Sequence, residues 1–204
     1  MTELTFFTNP QSRGRIARWM LEETGVDYDT EILTYDGTMK APEYLALNPM
    51  GKVPAIRHNG RMITECAAIC AYLADTFPNS GLAPRPEERA DYYRWMFFAA
   101  GPLEASTADS ALGVTVPQER QRMVGYGSRA HVMDALESAV AGKTYITGDR
   151  FTAADIYVGM QIMWGLRFAT IEDRPGLGDY VARLSQRPAL KRATTMDDAA
   201  AAAM

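Results

Sequence analysis

The chain has 204 residues, of which 47% are hydrophobic and 23% charged, and a formal net charge of −4 at pH 7. This composition is that of an average globular protein and excludes a disordered, collagen-like or coiled-coil chain. The acidic balance argues against a broad nucleic-acid-binding surface, so small molecules or proteins are the expected partners.

The first part of the chain alternates strand and helix patterns. Residues 3–7 are rich in β-forming residues and predict a strand, which a turn at residues 8–11 ends. A helix is predicted to follow, with Ser12 as its N-cap and Gly25 as its left-handed C-terminal residue. A second strand at 28–33 would complete a βαβ unit, which implies parallel strands joined by a right-handed crossover.

The next segment predicts an irregular helix, a hairpin and a further helix. Residues 40–48 indicate the short helix, and the strands 53–57 and 61–63 are predicted to be antiparallel because Asn59 and Gly60 form a strong hairpin signal. Thr64 is predicted to cap a helix that Pro78 ends. Residues 1–77 therefore predict the order β-α-β-α-β-β-α.

Strand signals are absent from the remaining sequence. Residues 78–87 contain three prolines and one glycine, which is typical of a linker. Helical patterns follow at 88–110, 117–141, 152–168 and 174–184, and a weaker one runs from 188 into an alanine tail that we expect to be frayed. Thr152 and Asp155 have the spacing of a capping box. Residues 88–204 are predicted to form an all-helical domain.

The compartment is inferred from the cysteines and the apolar segments. Cys66 and Cys70 are too close in sequence for a disulfide that closes a useful loop. The N-terminus lacks the features of a secretory signal. The longest mostly apolar stretch, 156–168, falls short of the roughly 18 residues that span a membrane. We therefore expect a cytoplasmic protein with no membrane association.

Motifs for metal binding or hydrolysis are missing from the sequence. His58 and His131 are isolated, and there is no HExxH, CxxC, GxSxG or glycine-rich phosphate loop. We expect no metal. Cys66 and Cys70 have no companion ligands and are interpreted as small apolar helix residues.

Three short segments carry the candidate chemistry. Residues 9–15 bring polar side chains to the junction of the first strand and helix, where free N–H groups stabilise an anion, although Ser12 could be a plain N-cap. In residues 51–56, a cis bond before Pro54 would turn the Val53 backbone outward toward a peptide-like ligand. Residues 64–67 combine Glu65 with backbone donors, which suits an amino group and a carboxylate on one ligand.

Together these segments resemble the glutathione S-transferase family. The similarity rests on Asn48-Pro49-x-Gly51-Lys52-Val53-Pro54-Ala55-Ile56, on Glu65 followed by residues 67–69, and on the capping segment at 151–155. It covers essentially the whole chain. It implies an α+β fold with an N-terminal thioredoxin-like β-α-β-α-β-β-α domain at 1–77, a linker at 78–87 and an all-α C-terminal domain at 88–204.

The resemblance also implies which residues bind glutathione, as a substrate. Val53 beside a cis-Pro54 is expected to pair with the cysteinyl part, and Lys52 and Lys40 are expected to face the glycyl carboxylate.

Glu65 and Cys66 are expected to receive the γ-glutamyl group. Cys66 departs from the family's serine and replaces a good hydroxyl donor with a weak S–H, so binding is expected to be weakened without being lost.

The residue that ionises the thiol is expected near the start of the first helix. The first strand ends in Phe6 and Phe7, which excludes the tyrosine used by some classes, and no cysteine lies in the following loop. Ser12 is left as the hydroxyl donor, with Asn9 and Arg13 as rivals. Lowering a thiol pKa from ~8.5 to ~6.5 needs roughly 2.7 kcal/mol, which one hydroxyl bond and a helix end could supply.

The second substrate is expected to be a small hydrophobic electrophile, with Phe98 and Glu104 as candidate contacts, although aromatic residues at such spacings are more often core or interface. Family resemblance also implies a homodimer. The predicted function is conjugation of glutathione thiolate to this electrophile. A glutathione-dependent disulfide reductase and a non-catalytic binding or assembly module remain alternatives, since the fold alone does not choose among them.

Overall fold

The computed structural model describes residues 3–204. Met1 and Thr2, which belong to the predicted N-terminal domain and to the segment analysed for a secretory signal, lie outside the described residues. The chain divides into two compact units. One runs to Ala83 and also contains Gln186–Met204, and the other comprises Pro84–Ser185.

The first unit confirms the predicted order β-α-β-α-β-β-α. Strand β2 is parallel to β1, β3 is antiparallel to β1 and to β4, and the order in the sheet is β2-β1-β3-β4. The elements are β1 (Leu4–Thr8), α1 (Gly14–Thr24), β2 (Asp29–Ile32), a 3-10 turn (Thr38–Lys40), α2 (Pro42–Leu47), β3 (Ala55–His58), β4 (Arg61–Ile63) and α3 (Cys66–Thr76).

Three element boundaries in this unit differ from the prediction. Helix α1 begins at Gly14 with Arg13 as its N-cap residue, because Ser12 forms part of the preceding turn. Strand β3 begins at Ala55, since Pro54 has no N–H to donate to a neighbouring strand. The N-cap of α3 is Glu65, one residue after the predicted Thr64.

Strand β1 is buried on both faces of the sheet. Helix α1 packs against α3, and Cys66 and Cys70 are buried free thiols, which confirms their interpretation as small apolar helix residues. A smaller cluster lies around Phe7, Leu33 and Tyr44, with Val53 packed against it. This cluster joins the end of β1 to the loop before β3.

The second unit is helical, with two departures from the predicted helices. A π-helical turn, Ala99–Leu103, interrupts the first helix, because Pro102 cannot donate a backbone hydrogen bond. The stretch 117–141 is not one helix, since Gly127 has a left-handed φ of 66°. The helices are α4 (Arg89–Phe98), α5 (Glu104–Ala111), α6 (Arg129–Val140), α7 (Ala153–Arg167) and α8 (Leu177–Leu184), with a 3-10 segment at Gln118–Met123.

The capping box at the start of α7 is confirmed. The buried Asp155 carboxylate accepts hydrogen bonds from the N–H groups of Thr152, at 2.9 Å, and Ile146, at 2.7 Å. The Tyr180 hydroxyl donates to it at 2.8 Å. Asp155 therefore ties α7 to α8 and to the preceding loop.

The last helix, α9 (Pro188–Ala202), groups with the first unit instead of with the other helices, and the tail predicted to be frayed is helical as far as Ala202. The buried ion pair of Arg18 on α1 and Asp197 on α9, at 2.7 Å, accounts for this placement. The stretch 88–204 is therefore divided between two compact units. Along residues 3–204, no helix is long and apolar enough to cross a membrane.

Candidate functional site

The turn between β1 and α1 is held by the side chain of Asn9. This residue is 1% exposed. Its Nδ2 donates to the carbonyl of Leu33 at 2.8 Å, and its Oδ1 accepts from the N–H of Gln11 at 2.9 Å. Both ends of the amide are therefore used within the protein, and Asn9 fixes the turn to the segment that follows β2.

Ser12 lies in the same turn and is half-buried. Its Oγ accepts a hydrogen bond from the N–H of Gly14 at 2.9 Å and donates to the carbonyl of Asn9 at 2.7 Å. The Asn9 carbonyl also accepts the N–H of Ser12 at 3.1 Å. Rotation of the hydroxyl hydrogen toward a ligand therefore leaves that carbonyl with a donor and leaves the oxygen in place.

Glycine is required where α1 begins. A Cβ on Gly14 would lie 1.9 Å from Oγ1 of Thr8, a buried residue at the end of β1. The helix therefore starts in close contact with the strand, which places its first backbone donors beside the turn. A sulfur anion at this position would face the positive end of an eleven-residue helix.

The N-terminus of α3 meets that of α1. The Sγ of Cys66, the first residue of α3, lies 3.8 Å from the carbonyl oxygen of Arg13, whose own side chain is exposed. Glu65 is also exposed and has a left-handed φ of 64°, which is uncommon for a residue other than glycine. Such backbone conformations concentrate at functional sites. The structure thus brings Arg13, Glu65 and Cys66 to one end of the first unit.

The loop before β3 contains the cis bond between Val53 and Pro54, which confirms that expectation. The carbonyl of Lys52 accepts the hydroxyl of Tyr44 at 2.6 Å and Nδ2 of Asn48 at 2.9 Å, so the loop is anchored while the Lys52 side chain is exposed. Burial raises the pKa of the Tyr44 phenol, so the phenol stays protonated and can donate this hydrogen bond to Lys52. Because Phe7 pairs with Ala55, this loop lies beside the end of β1.

Lys40 has a structural partner that the sequence did not indicate. Its Nζ donates to the carbonyl of Gly51 at 2.7 Å, where Gly51 has a left-handed φ of 54°. A Cβ on Gly51 would lie 2.9 Å from that Nζ. Lys40 therefore holds the loop that contains Lys52, and its charge lies next to the loop.

Tyr35 is a residue of this region that the sequence analysis missed. Its exposed hydroxyl donates to the carbonyl of Gln11 at 3.0 Å, within the turn that contains Ser12. The only sequence signal is its position two residues after Leu33, whose carbonyl is bound by Asn9. That relation becomes visible only when the turn is folded.

Phe98 and Glu104 belong to the second unit. The Phe98 ring stacks edge-on against Trp95 at a centroid distance of 5.4 Å, and Glu104 accepts the hydroxyl of Tyr157 at 3.5 Å. They lie on either side of the π-helical turn, a feature that often accompanies functional sites. Their contact with a second substrate stays a prediction. No group of His, Cys, Asp and Glu suited to a metal occurs among residues 3–204.

Comparison with known proteins identifies relatives along both units. The family model described as "Glutathione S-transferase, N-terminal domain" matches residues 13–76, and "Glutathione S-transferase, C-terminal domain" matches residues 119–193. A glutathione S-transferase of Xanthomonas campestris pv. campestris is 30% identical over 138 residues, which are 62% of this chain and 66% of that protein. Glutathione S-transferase A of Pleuronectes platessa is 26% identical over 84% of this chain and 82% of its own length.

Solved structures with a similar fold are also glutathione S-transferases. A sphingomonad glutathione S-transferase complexed with glutathione has a TM-score of 0.76 and 28% identity, and the match covers 95% of this chain and 98% of that one. A theta-class enzyme of Xanthomonas axonopodis pv. citri with glutathione bound has a TM-score of 0.74 and 29% identity, with the same coverage. Since the two domain matches together span more than half of the 204 residues, this chain belongs to the glutathione S-transferase family.

Proposed function

We propose that the protein is a glutathione transferase that ionises the thiol of glutathione at Ser12 and directs the thiolate at a small apolar electrophile. The observation that carries this proposal is the hydrogen bonding of the Ser12 hydroxyl. Its oxygen is fixed by the Gly14 N–H, and its hydrogen points to a carbonyl that already has a second donor. The two solved relatives that hold glutathione support the choice of substrate.

The hydroxyl can change its acceptor at small cost. When glutathione binds, the hydrogen of Ser12 turns from the Asn9 carbonyl to the sulfur, while the N–H of Ser12 continues to satisfy that carbonyl. The thiol proton passes to solvent, and the sulfur keeps the electron pair. The thiolate then bonds to an electrophilic carbon and the leaving group departs with its bonding electrons. A hydroxyl that already accepts a hydrogen bond is also a better donor, which favours the anion.

The other candidate residues take different tasks. We assign Asn9 to holding the turn, because both ends of its amide are engaged there. Arg13 remains the second candidate for stabilising the sulfur anion, since it is the N-cap residue of α1 and its carbonyl oxygen lies 3.8 Å from the Cys66 sulfur.

Glutathione would extend from the turn across the two neighbouring segments. The backbone of Val53, beside the cis-Pro54, would pair with the cysteinyl residue. Glu65 and Cys66 would receive the γ-glutamyl group at the start of α3. Lys52 would meet the glycyl carboxylate with its exposed side chain.

Lys40 would attract the glycyl carboxylate by its charge and not by direct contact, because its ammonium already donates a hydrogen bond to the carbonyl of Gly51. Phe98 and Glu104 are proposed to contact the electrophile. The homodimer and the cytoplasmic location expected from the family remain parts of this proposal.

A conjugation assay with a chloronitrobenzene electrophile tests the proposal. Replacing Ser12 by Ala should lower kcat/KM for glutathione at least about tenfold, which corresponds to the loss of one hydrogen bond to an anion. Ser12→Thr, which keeps a hydroxyl, should recover most of the activity. Gln11→Ala is the matched control, because Gln11 contributes to the turn through its backbone N–H and carbonyl.

Two results would contradict the proposal. Equal activity of the wild type and Ser12→Ala would remove Ser12 from the thiolate site and leave Arg13. Turnover of hydroxyethyl disulfide by the wild type without measurable conjugation would replace the transferase by a glutathione-dependent reductase.

A further inference from the structure

One arginine joins the turn that carries Ser12 to the last helix of the chain. The Nε of Arg15, on α1, donates to the carbonyl of Pro10 at 2.5 Å. Its Nη2 donates to Oδ1 of Asp198, on α9, at 2.7 Å. The guanidinium therefore uses two of its nitrogens to hold a backbone carbonyl of the turn and a carboxylate that is 183 residues away in sequence.

Helix α9 is fixed where it supplies this carboxylate. The residue before Asp198 is Asp197, which is buried and paired with Arg18, with side-chain exposures of 1% and 3%. Two further pairs hold the same helices together: Arg187 binds both carboxylate oxygens of Glu23 through Nε and Nη2, and Arg192 binds Glu22 at 3.0 Å. The position of Asp198 relative to α1 is therefore set by neighbouring contacts.

The carbonyl of Pro10 is the point at which Arg15 holds the turn between β1 and α1. Pro10 lies between Asn9, which is buried and bonded at both ends, and the half-buried Ser12. Asn9 ties the turn to Leu33 and holds the N–H of Gln11, and the exposed Tyr35 donates to the carbonyl of Gln11. Arg15 is the charged group in this network. It links the residue after Asn9 to the first turn of α1.

We propose that Arg15 is a positioning residue for the thiolate site, and that Asp198 on the C-terminal helix orients it. The inference rests on the proposed function for the role of Ser12, while the Pro10–Arg15–Asp198 contact stands without it. Helix α9 then acts on the thiolate site through one guanidinium. Arg15 is not a catalytic residue in this scheme, because it acts on the sulfur through the turn.

The contact to Pro10 is expected to be the stronger half of the link. The Arg15 side chain is 24% exposed, and the Asp198 side chain is 63% exposed. An ion pair with so exposed a partner is weakened by solvent and by salt. Asp198→Ala should therefore have a smaller effect than Arg15→Met, and raising the salt concentration should shrink the difference between Asp198→Ala and the wild type.

The test uses the full-length protein and two readouts. Hydrogen exchange of the amides of Gln11, Ser12 and Gly14 reports the turn without any ligand. Ultraviolet absorbance of the thiolate reports the pKa of bound glutathione. In Arg15→Met we expect turn exchange about tenfold faster and a thiol pKa raised by about 0.5 to 1, with a correspondingly lower kcat at pH 6.5 and a smaller effect at pH 9.

Two variants separate position from charge and from general stability. Arg15→Lys keeps the positive charge but cannot hold Pro10 and Asp198 through a planar fork, so it should resemble Arg15→Met. Arg192→Met removes an ion pair between the same two helices near the other end of α1, and it should leave both the turn exchange and the thiol pKa unchanged.

Each other outcome overturns the proposal in a distinct way. Unchanged turn exchange in Arg15→Met would mean that the arginine does not hold the turn. Faster exchange with an unchanged thiol pKa would mean that the turn does not influence ionisation of the bound thiol. A normal thiol pKa in Arg15→Lys would assign the effect to charge alone, and equal shifts in Arg192→Met would assign it to the whole helix pair. A wild type that fails to bind glutathione would refute the proposed function, while the exchange comparison still decides the contact.

Discussion

The hydroxyl of Ser12 is held by the N–H of Gly14, so its donor direction can change while its oxygen stays in place. Asn9 differs in this respect, because turning its amide toward a ligand would break its hydrogen bonds to Leu33 and Gln11. Breaking such a contact leaves an unpaired polar group and costs about 1–3 kcal/mol. This difference favours Ser12 as the donor to sulfur.

Cys66 offers a test of glutathione affinity at the scale of a single residue. Cys66→Ser would place a hydroxyl where the structure has a weak S–H near the start of α3. We expect the KM for glutathione to fall about two- to tenfold with little change in kcat, as one added hydrogen bond predicts.

Cys70→Ser is the matched control for this substitution. It makes the same chemical change one helical turn further along α3, at a buried position. It should lower stability without lowering KM. A KM that rises or stays constant in Cys66→Ser would contradict the assignment of Cys66 to the γ-glutamyl end.

At the scale of elements, the ends of helices determine both the site and the stability of the second unit. The N-termini of α1 and α3 meet where Cys66 approaches Arg13. In the second unit, Asp155 at the start of α7 accepts bonds from a loop amide, from its own cap and from Tyr180 on α8. Burial raises the pKa of Asp155, and the N–H donors of Ile146 and Thr152 oppose that shift.

Asp155→Ala should destabilise the protein by about 2–4 kcal/mol, because it leaves several buried donors without an acceptor. Denaturant unfolding followed by circular dichroism measures this loss. Asp149→Ala, at an exposed position of the same loop, should change stability by less than about 0.5 kcal/mol. A loss below about 1 kcal/mol for Asp155→Ala would show that the capping network contributes little.

The elements were largely predictable from the sequence, and their arrangement was less so. The hairpin at Asn59 and Gly60, the left-handed Gly25 and the box at Asp155 follow from local rules, and the structure confirms them. The π-helical turn was missed because its hydrogen bonds depend on how Pro102 disturbs an otherwise regular pattern.

The candidate site shows the same division between local and distant information. The cis bond at Pro54 was expected from the segment that contains it. The contacts of Lys40 with Gly51 and of Tyr35 with Gln11 were missed, because each joins segments at least ten residues apart. Residue spacing along one segment does not encode such pairs.

At the scale of the whole molecule, the C-terminal helix α9 packs against the N-terminal helix α1. The sequence predicts that α9 belongs with the other helices, because this segment has no strand signal and follows them directly. Its charged residues pair with those of α1, however, and the pair Arg18–Asp197 is almost fully buried. Burial raises the pKa of Asp197, while the Arg18 guanidinium opposes that shift. Secondary structure alone could not reveal this preference.

A double-mutant comparison tests the buried pair. Arg18→Met leaves the Asp197 carboxylate buried without its cation, so we expect a loss of about 3–5 kcal/mol. Arg18→Met combined with Asp197→Leu removes both charges and should be more stable than Arg18→Met alone by about 2 kcal/mol or more. Thermal unfolding of the three proteins gives the values. A double variant less stable than Arg18→Met would mean that an unpaired Asp197 carboxylate is not what destabilises Arg18→Met.

The measurement that most directly tests the thiolate site is a pH titration of bound glutathione followed by thiolate absorbance. For the wild type we predict a thiol pKa of ~6.5, against ~8.5 for an unperturbed thiol. In Ser12→Ala the value should rise by at least about 1, because one hydrogen bond to the anion is lost. A bound thiol that titrates near ~8.5 in the wild type, or at the same pH in both proteins, would contradict the account.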